Sequence, residues 1–307
     1  MILGNLACTV TGACIVIPCE IFDAEQVMKC VEQEKCSSLY GVPTMFIAEL
    51  DHVNFVKYNF SSLRTGIMAG SICSTELIKS VQSKMNIKEL AVCYGMTETS
   101  PVSTQTLPND SLENRVTTVG KVQDHVEIKI INIHSNETVQ RGQIGEFCLQ
   151  GYHVMIGYWN NKVETEKIID NEGWLHSGDL AIMNDDGYIK IVGRINDMIV
   201  RGGENIYPKE IEELLCKHPA ISDVYVIGIP DRKYGEQVMA WVKLKSNITE
   251  VNEEALHDFC KNQISHYKIP QYWKFVQAFP VTVTGKIRKV EMREIAIQEL
   301  NLKLKKP

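Results

Sequence analysis

The chain has 307 residues, of which 44% are hydrophobic and 23% charged, and its formal net charge at pH 7 is −6. This length is enough for about two domains of ordinary globular composition. Acidic and basic residues are interspersed, so we expect neither nucleic acid nor an anionic membrane surface as a partner, and small-molecule chemistry is favoured. The cysteines and histidines show no zinc or redox spacing, which favours reduced, mostly buried thiols.

The first eighteen residues are apolar, but they lack a basic leading segment and are interrupted by Asn5, Thr9 and Thr11. This pattern argues against a signal peptide. It favours a core helix that runs into a buried strand over residues 14–18. No Arg-rich presequence is present, so the chain has no visible mitochondrial targeting segment, and no transmembrane segment is predicted.

The next region carries the pattern of a layered α/β fold. Residues 23–36 predict a helix capped by Asp23, with apolar residues at helical spacing. Short apolar runs at 66–70 and 90–93 alternate with a helical stretch over 74–85. This alternation is typical of βαβ units around a parallel sheet.

From about Val119 the pattern changes to strands, at 126–133 and 145–150, which indicates a small β subdomain. After Arg194 the pattern is that of a compact α+β domain of about 110 residues. Its predicted helices cover 208–217, 253–264 and 289–300, and its predicted strands cover 224–228, 238–244 and 272–276.

The segment Tyr94-Gly-Met-Thr-Glu98 follows the C-terminal end of a predicted strand, which is where open α/β sheets bind ligands. A Tyr-Gly turn leaves an aromatic face free beside a backbone that can approach a ligand closely. Thr97 offers a hydroxyl to a phosphate, and Glu98 offers a hard oxygen ligand to Mg²⁺. The segment therefore predicts a corner that handles ATP.

The segment Ser177-Gly-Asp179 lies between two apolar stretches, so we expect Asp179 at the top of a strand. A carboxylate there can accept hydrogen bonds from both ribose hydroxyls. Arg194, fifteen residues further on, can reach the same sugar or its phosphate. His176 stands beside this motif, but three near neighbours on one strand cannot form a Ser-His-Asp relay, so we assign it a structural role.

The last motif is Thr284-Gly-Lys286, in which Gly285 lets a mobile loop carry a positive charge toward an anionic transition state. Lys286 is therefore the candidate catalytic residue. Each motif alone is most often a turn or a solvated loop. Together the motifs are a stronger signal. They occur in a fixed order, and the long segment 193–212 lies between Ser177-Gly-Asp179 and Thr284-Gly-Lys286.

Taken together, these segments resemble those of the adenylate-forming superfamily, which includes acyl-CoA synthetases, peptide-synthetase adenylation domains and luciferases. The segments 40–46 and 69–71 also fit the fatty-acyl branch, and the likeness is nearest to the mitochondrial medium-chain acyl-CoA synthetases. The resemblance implies a fold of class α/β and α+β. Residues 1–195 would form the C-terminal portion of the large AMP-binding domain, with a β subdomain at about 119–195, and residues 196–307 would form a mobile α+β lid.

The resemblance implies an ATP-dependent, AMP-forming fatty acid–CoA ligase of the mitochondrial matrix. Its partners would be a medium-chain fatty acid, ATP, Mg²⁺ and coenzyme A. The acid would first react with ATP to give an acyl-adenylate and pyrophosphate, and coenzyme A would then take the acyl group.

The resemblance also implies roles for individual residues. Tyr94 would flank adenine, Thr97 would bind phosphate and Glu98 would hold Mg²⁺, while Asp179 and Arg194 would hold the ribose and its neighbouring phosphate. The remaining implied site residues are Gly70 and Ser71 at the edge of the adenine or acyl pocket, Lys286 at the reacting groups, and Gly202 and Gly203 beside the thiol of coenzyme A.

Two departures from the family pattern stand out. Asn196 lies at the lid pivot, where the family usually has Asp or Lys. The family's phosphate-gripping loop, rich in Ser, Thr and Gly and ending in Pro-Lys-Gly, does not occur in the 307 residues. We therefore expect an N-terminally truncated chain, missing main-chain donors that cradle the ATP phosphates.

Alternatives to a ligase stay open at this point. One is a truncated, catalytically impaired isoform that binds nucleotide or acyl groups and has a regulatory role. A peptide-synthetase adenylation domain is less favoured, because no carrier-domain serine motif follows.

Overall fold

A computed structural model of the chain describes residues 2–70, 73–245, 251–282 and 286–302. The chain forms two compact units, Met1–Ile191 and Val192–Pro307. None of the helices within the described ranges has the length and apolar character needed to cross a bilayer. The mixed α/β architecture predicted from the sequence is confirmed.

The first unit contains a sheet with strand order β1-β2-β3-β4-β5. Its first three strands are parallel, and the last two pair antiparallel. The strands are β1 (Ser38–Gly41), β2 (Thr65–Met68), β3 (Glu89–Tyr94), β4 (Thr104–Gln105) and β5 (Lys121–Val122). The helices of this unit are α1 (Ala7–Thr11), α2 (Ala24–Glu34), α3 (Pro43–Leu50), α4 (Thr75–Lys84), α5 (Leu112–Thr117) and α6 (Lys162–Ile168).

Helix α2 forms where its cap and apolar spacing predict it. The Gln26 N–H donates to the Asp23 carboxylate at 2.8 Å, and Val27, Met28 and Val31 are buried on the inner face. Helix α4 begins in the same way, because Ser74 accepts from the Leu77 N–H at 3.3 Å. Both helices pack into one apolar core with the first sheet.

The N-terminal segment differs from its prediction. Residues 2–11 are helical, but they bury no side chain, and residues 14–18 form no strand. Val10 and Ile17 are 84% and 77% exposed. The prediction of a core helix and a buried strand is therefore wrong, because apolar composition alone does not supply a surface against which the segment can pack.

A second sheet in the first unit has the order β6-β7-β8-β9. Its strands are β6 (Val126–Ile131), β7 (Gly145–Gly151), β8 (Leu175–Met183) and β9 (Ile189–Arg194), the last of which continues into the second unit. Alternate residues of β7, including Phe147 and Leu149, face an apolar core on one side of the sheet. Tyr94 and Met96, which end and follow β3, pack against this same core, so the two sheets meet at the end of β3.

The second unit is an α+β domain whose sheet runs in the order β11-β10-β13-β12, with β14 parallel to β13. Its strands are β10 (Ile199–Arg201), β11 (Glu204–Ile206), β12 (Ile221–Asp231), β13 (Gly235–Leu244) and β14 (Tyr272–Phe275). Its helices are α7 (Pro208–Leu215), α8 (Glu253–Cys260) and α9 (Lys289–Glu299). Pro208 occupies the first turn of α7 as predicted.

Candidate functional site

The turn after β3 is built on a close backbone approach. Tyr94 is the last residue of the strand, and a Cβ added to Gly95 would lie 1.8 Å from the Pro101 carbonyl oxygen, so only glycine fits here. Residues Thr97–Thr99 form a short 3₁₀ turn, braced by a 3.0 Å hydrogen bond from the Met96 N–H to the Thr99 hydroxyl. Thr97 is exposed on this turn and Glu98 is half-buried.

A side-chain hydrogen bond joins the two sheets of the first unit. The Tyr94 hydroxyl donates to Asp179 Oδ2 at 2.6 Å, and the Asp179 carboxylate is buried. The Tyr94 ring packs edge-on against Phe147, with ring centroids 5.3 Å apart. The residues that the sequence assigned to adenine and ribose are therefore in direct contact.

The position of Asp179 differs from its prediction at the top of a strand. Residues 177–179 lie inside β8, where the register with β7 shifts between Glu146 and Cys148 and Gly178 has φ +69°. The Ser177 hydroxyl donates to the Phe147 carbonyl at 2.6 Å and accepts from the Asp179 N–H at 3.1 Å. This irregularity orients Asp179, because a bulge re-aims the side chains of its strand.

His176 lies between two carboxylates. Its Nδ1 is 3.0 Å from Glu146 Oε2, and its Nε2 is 3.4 Å from Asp170 Oδ2. The other Glu146 oxygen accepts from the Gly178 N–H at 3.1 Å, so Glu146 links His176 to the bulge that carries Asp179. Burial acts to raise the pKa of the Asp170 carboxyl, but hydrogen bonds from the Trp174 and Glu172 N–H groups and from His176 outweigh it and lower that pKa.

Glu98 is held from two directions. The Tyr158 hydroxyl donates to Glu98 Oε1 at 2.9 Å, and the Met155 N–H donates to the Glu98 carbonyl at 2.8 Å. Burial raises the pKa of the Tyr158 phenol, and its hydrogen bond to the Glu98 carboxylate raises that pKa further. A half-buried carboxylate held through one oxygen can present the other to a hard cation, so Glu98 fits the requirements of Mg²⁺.

The remaining predicted site residues of the first unit are Gly70 and Ser71. Gly70 follows β2, is exposed and has φ +93°. Ser71 lies outside the described residues.

In the second unit, Arg194 is exposed at the end of β9, and Asn196 lies in the short turn Ile195–Asp197 that follows. Gly202 and Gly203 form the two-residue turn between β10 and β11, with φ +60° and +91°. Such a pair of positive φ angles suits a tight hairpin and favours glycine. The Gly202 N–H donates to the Tyr234 carbonyl at 2.8 Å, which fixes the turn to its own unit.

Lys286 is exposed in the second unit. Two nearby residues, Val281 and Ile287, form an antiparallel bridge. The Thr282 N–H donates to the Lys286 carbonyl at 2.8 Å, and the Lys286 N–H donates to the Thr282 hydroxyl at 3.1 Å. Thr284 and Gly285, the other residues of this motif, lie outside the described residues.

Sequence reasoning missed three residues that support the candidate site: Glu146, Phe147 and Tyr158. Phe147 and Glu146 act from β7, a strand recognised only by its apolar alternation, and Tyr158 lies in a loop. The only available signal was the cluster of aromatic residues at Tyr158 and Trp159, which does not indicate a partner sixty residues away in the chain.

The chain is similar in sequence and in structure to known proteins. The profile of the AMP-binding enzyme family matches residues 1–159, and that of the AMP-binding enzyme C-terminal domain matches residues 210–286. The chain is 51% identical to the Bacillus subtilis protein named "Putative acyl-CoA synthetase YngI", over 98% of this chain and 54% of that protein. It is 42% identical to the medium-chain acyl-CoA ligase ACSF2, mitochondrial, of Rattus norvegicus, over 97% of this chain and 48% of the relative.

Among solved structures, the anthranilate CoA ligase AuaEII in complex with anthranoyl-AMP superposes with a TM-score of 0.86 at 28% identity. That match covers 94% of this chain and 55% of the ligase. The chain thus spans about half the length of the curated relatives that it matches.

Proposed function

The chain belongs to the AMP-binding enzyme family, and from this premise we propose that it acts as an ATP-dependent, AMP-forming acyl-CoA ligase on a fatty acid. The observation that carries the proposal is the 2.6 Å contact between Tyr94 and Asp179, with the Thr97–Glu98 turn directly after Tyr94. An aromatic ring, a buried carboxylate, a hydroxyl and a second carboxylate are what an adenine nucleotide and its cation require.

For the nucleotide, Tyr94 flanks the adenine and Asp179 accepts hydrogen bonds from the ribose hydroxyls. The Tyr94 hydroxyl occupies Asp179 Oδ2, which fixes the rotamer of the carboxylate before the sugar arrives. Such preorganisation lowers the entropic cost of binding. Thr97 donates to a phosphate from its exposed position, Gly70 and Ser71 edge the pocket, and Arg194 contributes positive charge.

Glu98 is the residue that would hold Mg²⁺, with Tyr158 fixing its carboxylate. A bound Mg²⁺ neutralises phosphate charge and orients the oxygens for displacement. The roles of Glu98 and Tyr158 in this chain are to bind and orient, because the Tyr158 hydroxyl donates to Glu98 Oε1 and the other carboxylate oxygen faces the ion.

The first half-reaction joins a carboxylate oxygen of the acid to the α-phosphorus of ATP and expels pyrophosphate. Lys286 supplies positive charge to the oxygens on which negative charge develops. In the second half-reaction the thiol sulfur of coenzyme A attacks the acyl carbon, AMP leaves with the electron pair of the broken bond, and the thiol proton goes to solvent. Gly202 and Gly203 offer a turn without side chains for the approach of the thiol.

The finer features of the proposal draw support from named relatives. A medium-chain acid and a mitochondrial location are supported by the likeness to ACSF2, whose name gives both. A location in the matrix is part of the proposal. The assignment of residues 1–195 to the large domain and 196–307 to a lid that pivots at Asn196 is part of the same proposal.

The test is product formation. The purified chain is supplied with ATP, Mg²⁺, coenzyme A and a series of saturated fatty acids from four to sixteen carbons, and acyl-CoA and AMP are quantified by mass spectrometry. The proposal requires the two products in equal amounts, with the largest yield for medium-chain acids. AMP without acyl-CoA, or ADP in its place, would contradict it.

A further inference from the structure

Three side chains of different chemistry share one face of the second sheet in the first unit. Cys148 of β7 and His176 of β8 are direct cross-strand partners, and Glu146 lies two residues before Cys148. Residues two apart on a strand point to the same side, whereas the intervening Phe147 faces the apolar core. A carboxylate, a thiol and an imidazole therefore converge opposite that core.

The three donor atoms lie close enough together for small side-chain movements to bring them onto one ion. Cys148 Sγ lies 3.7 Å from His176 Nδ1, and Glu146 Oε2 lies 3.0 Å from the same nitrogen. All three atoms lie within 4.8 Å of one another. In a tetrahedral zinc site, bond lengths of about 2.3 Å to sulfur and about 2.0 Å to nitrogen or oxygen give ligand separations of about 3.3 to 3.6 Å.

Groups behind these donors hold them in place. Asp170 Oδ2 lies 3.4 Å from His176 Nε2, and the Gly178 N–H donates to the second Glu146 oxygen at 3.1 Å. An imidazole that gives its outer N–H to a carboxylate and its inner nitrogen to the metal is the usual arrangement of zinc ligands. With the Nε2 proton directed at Asp170, the Nδ1 lone pair lies 3.0 Å from Glu146 Oε2, and a bound cation would satisfy both atoms. With the proton on Nδ1, that N–H donates to Glu146 instead.

We propose that Glu146 Oε2, Cys148 Sγ and His176 Nδ1 bind one zinc ion, with water in the fourth position. Because Glu146 also holds the Gly178 N–H, a bound ion would fix the bulge that carries Asp179. No zinc spacing is visible in the sequence, because the ligands come from two strands, and Glu146 and His176 are thirty residues apart in the chain.

The electrostatics define how such a site behaves. The thiolate, not the thiol, binds zinc, so uptake of the ion should release the Cys148 proton. The His176 and Glu146 side chains are 25% and 13% exposed, which leaves a path for the ion. Lys129, paired with Cys148 across the sheet, stacks its ammonium over Trp174 at 4.3 Å and opposes a cation.

The experiment uses the full chain, freed of metal by a chelator, and titrates it with Zn²⁺ by calorimetry and with Co²⁺ by absorption spectroscopy. The expected result is one ion per chain, with a cobalt–thiolate charge-transfer band. Cys148→Ala removes both the band and the stoichiometric uptake, and Asp170→Asn weakens the affinity by about 10- to 100-fold while keeping the carbonyl oxygen for the local N–H groups. Lys129→Gln removes the opposing positive charge and therefore raises the affinity for the ion.

Two controls separate this site from other thiols. Cys260→Ala removes a buried thiol of the second unit, and Cys14→Ser removes an exposed one, and both variants should bind as the parent chain does. Circular dichroism tests whether each variant folds. If Cys148→Ala does not fold, His176→Gln replaces it. Absence of the cobalt–thiolate band in the parent chain, or an unchanged band in Cys148→Ala or His176→Gln, overturns the proposal.

Discussion

The Tyr94 hydroxyl and the Asp179 carboxylate form a 2.6 Å hydrogen bond between residues that are 85 positions apart in the chain. The contact connects the end of β3 to the bulge of β8, and so links the mixed first sheet to the second sheet of the same unit. Phe147, from the neighbouring strand β7, packs against the Tyr94 ring and keeps it over the same core. This contact holds the aromatic ring and the carboxylate in one arrangement.

Removing this hydroxyl should weaken nucleotide binding while the fold is retained. Tyr94→Phe keeps the ring packing but leaves Asp179 without one donor, and a hydrogen bond to a charged group contributes about 1.5–3 kcal/mol. We expect a free energy of unfolding lower by about that amount and an AMP dissociation constant raised about tenfold, measured by calorimetry. Asp179→Ala should raise the dissociation constant further. Tyr40→Phe, at a half-exposed tyrosine, is the control, and equal AMP affinity in all four proteins would exclude Asp179 from the ribose site.

Tyr158 should control the requirement for Mg²⁺. Tyr158→Phe removes the donor to Glu98 Oε1, so the carboxylate becomes free to rotate, and the loss of such an orienting partner typically weakens metal binding about 10-fold or more. The measurement is the Mg²⁺ concentration that half-saturates ATP binding. Tyr152→Phe, at an exposed neighbour, should leave that concentration unchanged. A Tyr158→Phe variant with the parent requirement would mean that Glu98 does not hold the ion.

Gly95 should tolerate no side chain. A Cβ at this position would overlap the Pro101 carbonyl and lie 2.9 Å from the Val102 Cα, and both obstacles are backbone that cannot rotate away. We expect Gly95→Ala to lower the free energy of unfolding by about 3 kcal/mol or to prevent folding. Gly4→Ala, where nothing lies within 4 Å of the new methyl group, is the matched control in urea denaturation. Equal midpoints for the two variants would show that the turn relaxes.

Glu49 should make the stability of the chain depend on pH. Its side chain is buried in α3, and burial raises the pKa of the carboxyl to about 8, above the value of about 4.3 in an unfolded chain. Its stabilising contribution is therefore fully present below pH 4 and is lost as the pH rises toward 8, by up to about 1.4 kcal/mol per pH unit.

Glu49→Gln should remove this slope, as measured by urea denaturation between pH 5 and pH 8. Glu113→Gln, at an exposed carboxylate of α5, should keep it. If the parent chain and Glu49→Gln lose stability equally over that range, the carboxyl is not protonated in the folded chain.

The elements predicted most accurately are those with a local cause. The Asp23 cap and the spacing of Val27, Met28 and Val31 define α2, and Pro208 defines the start of α7, because each signal acts within one helical turn. The prediction of a strand at residues 14–18 was wrong because it depended on a distant partner rather than on a local signal. A buried strand needs a neighbour, and apolar residues 14–18 do not specify one.

The same distinction applies to the candidate site. The motifs around Tyr94 and Asp179 could be recognised in the sequence, but their contact depends on how two sheets pack. The bulge at residues 177–179 depends on the register with β7, which no residue spacing within β8 reveals. The contacts of Tyr158 with Glu98 and of Glu146 with His176 could not be predicted either, because each pair is far apart in the chain and meets only after folding.

The most direct test of the ligase is pyrophosphate release by the purified 307-residue chain with ATP, Mg²⁺ and an eight-carbon fatty acid. The parent chain is compared with Lys286→Ala and with a control at the exposed Lys217. We predict release that requires the acid, falls by about 100-fold or more in Lys286→Ala and is unchanged in Lys217→Ala, because Lys286 supplies charge to the reacting oxygens and Lys217 does not. No release from folded protein, or equal release by Lys286→Ala, would contradict the account.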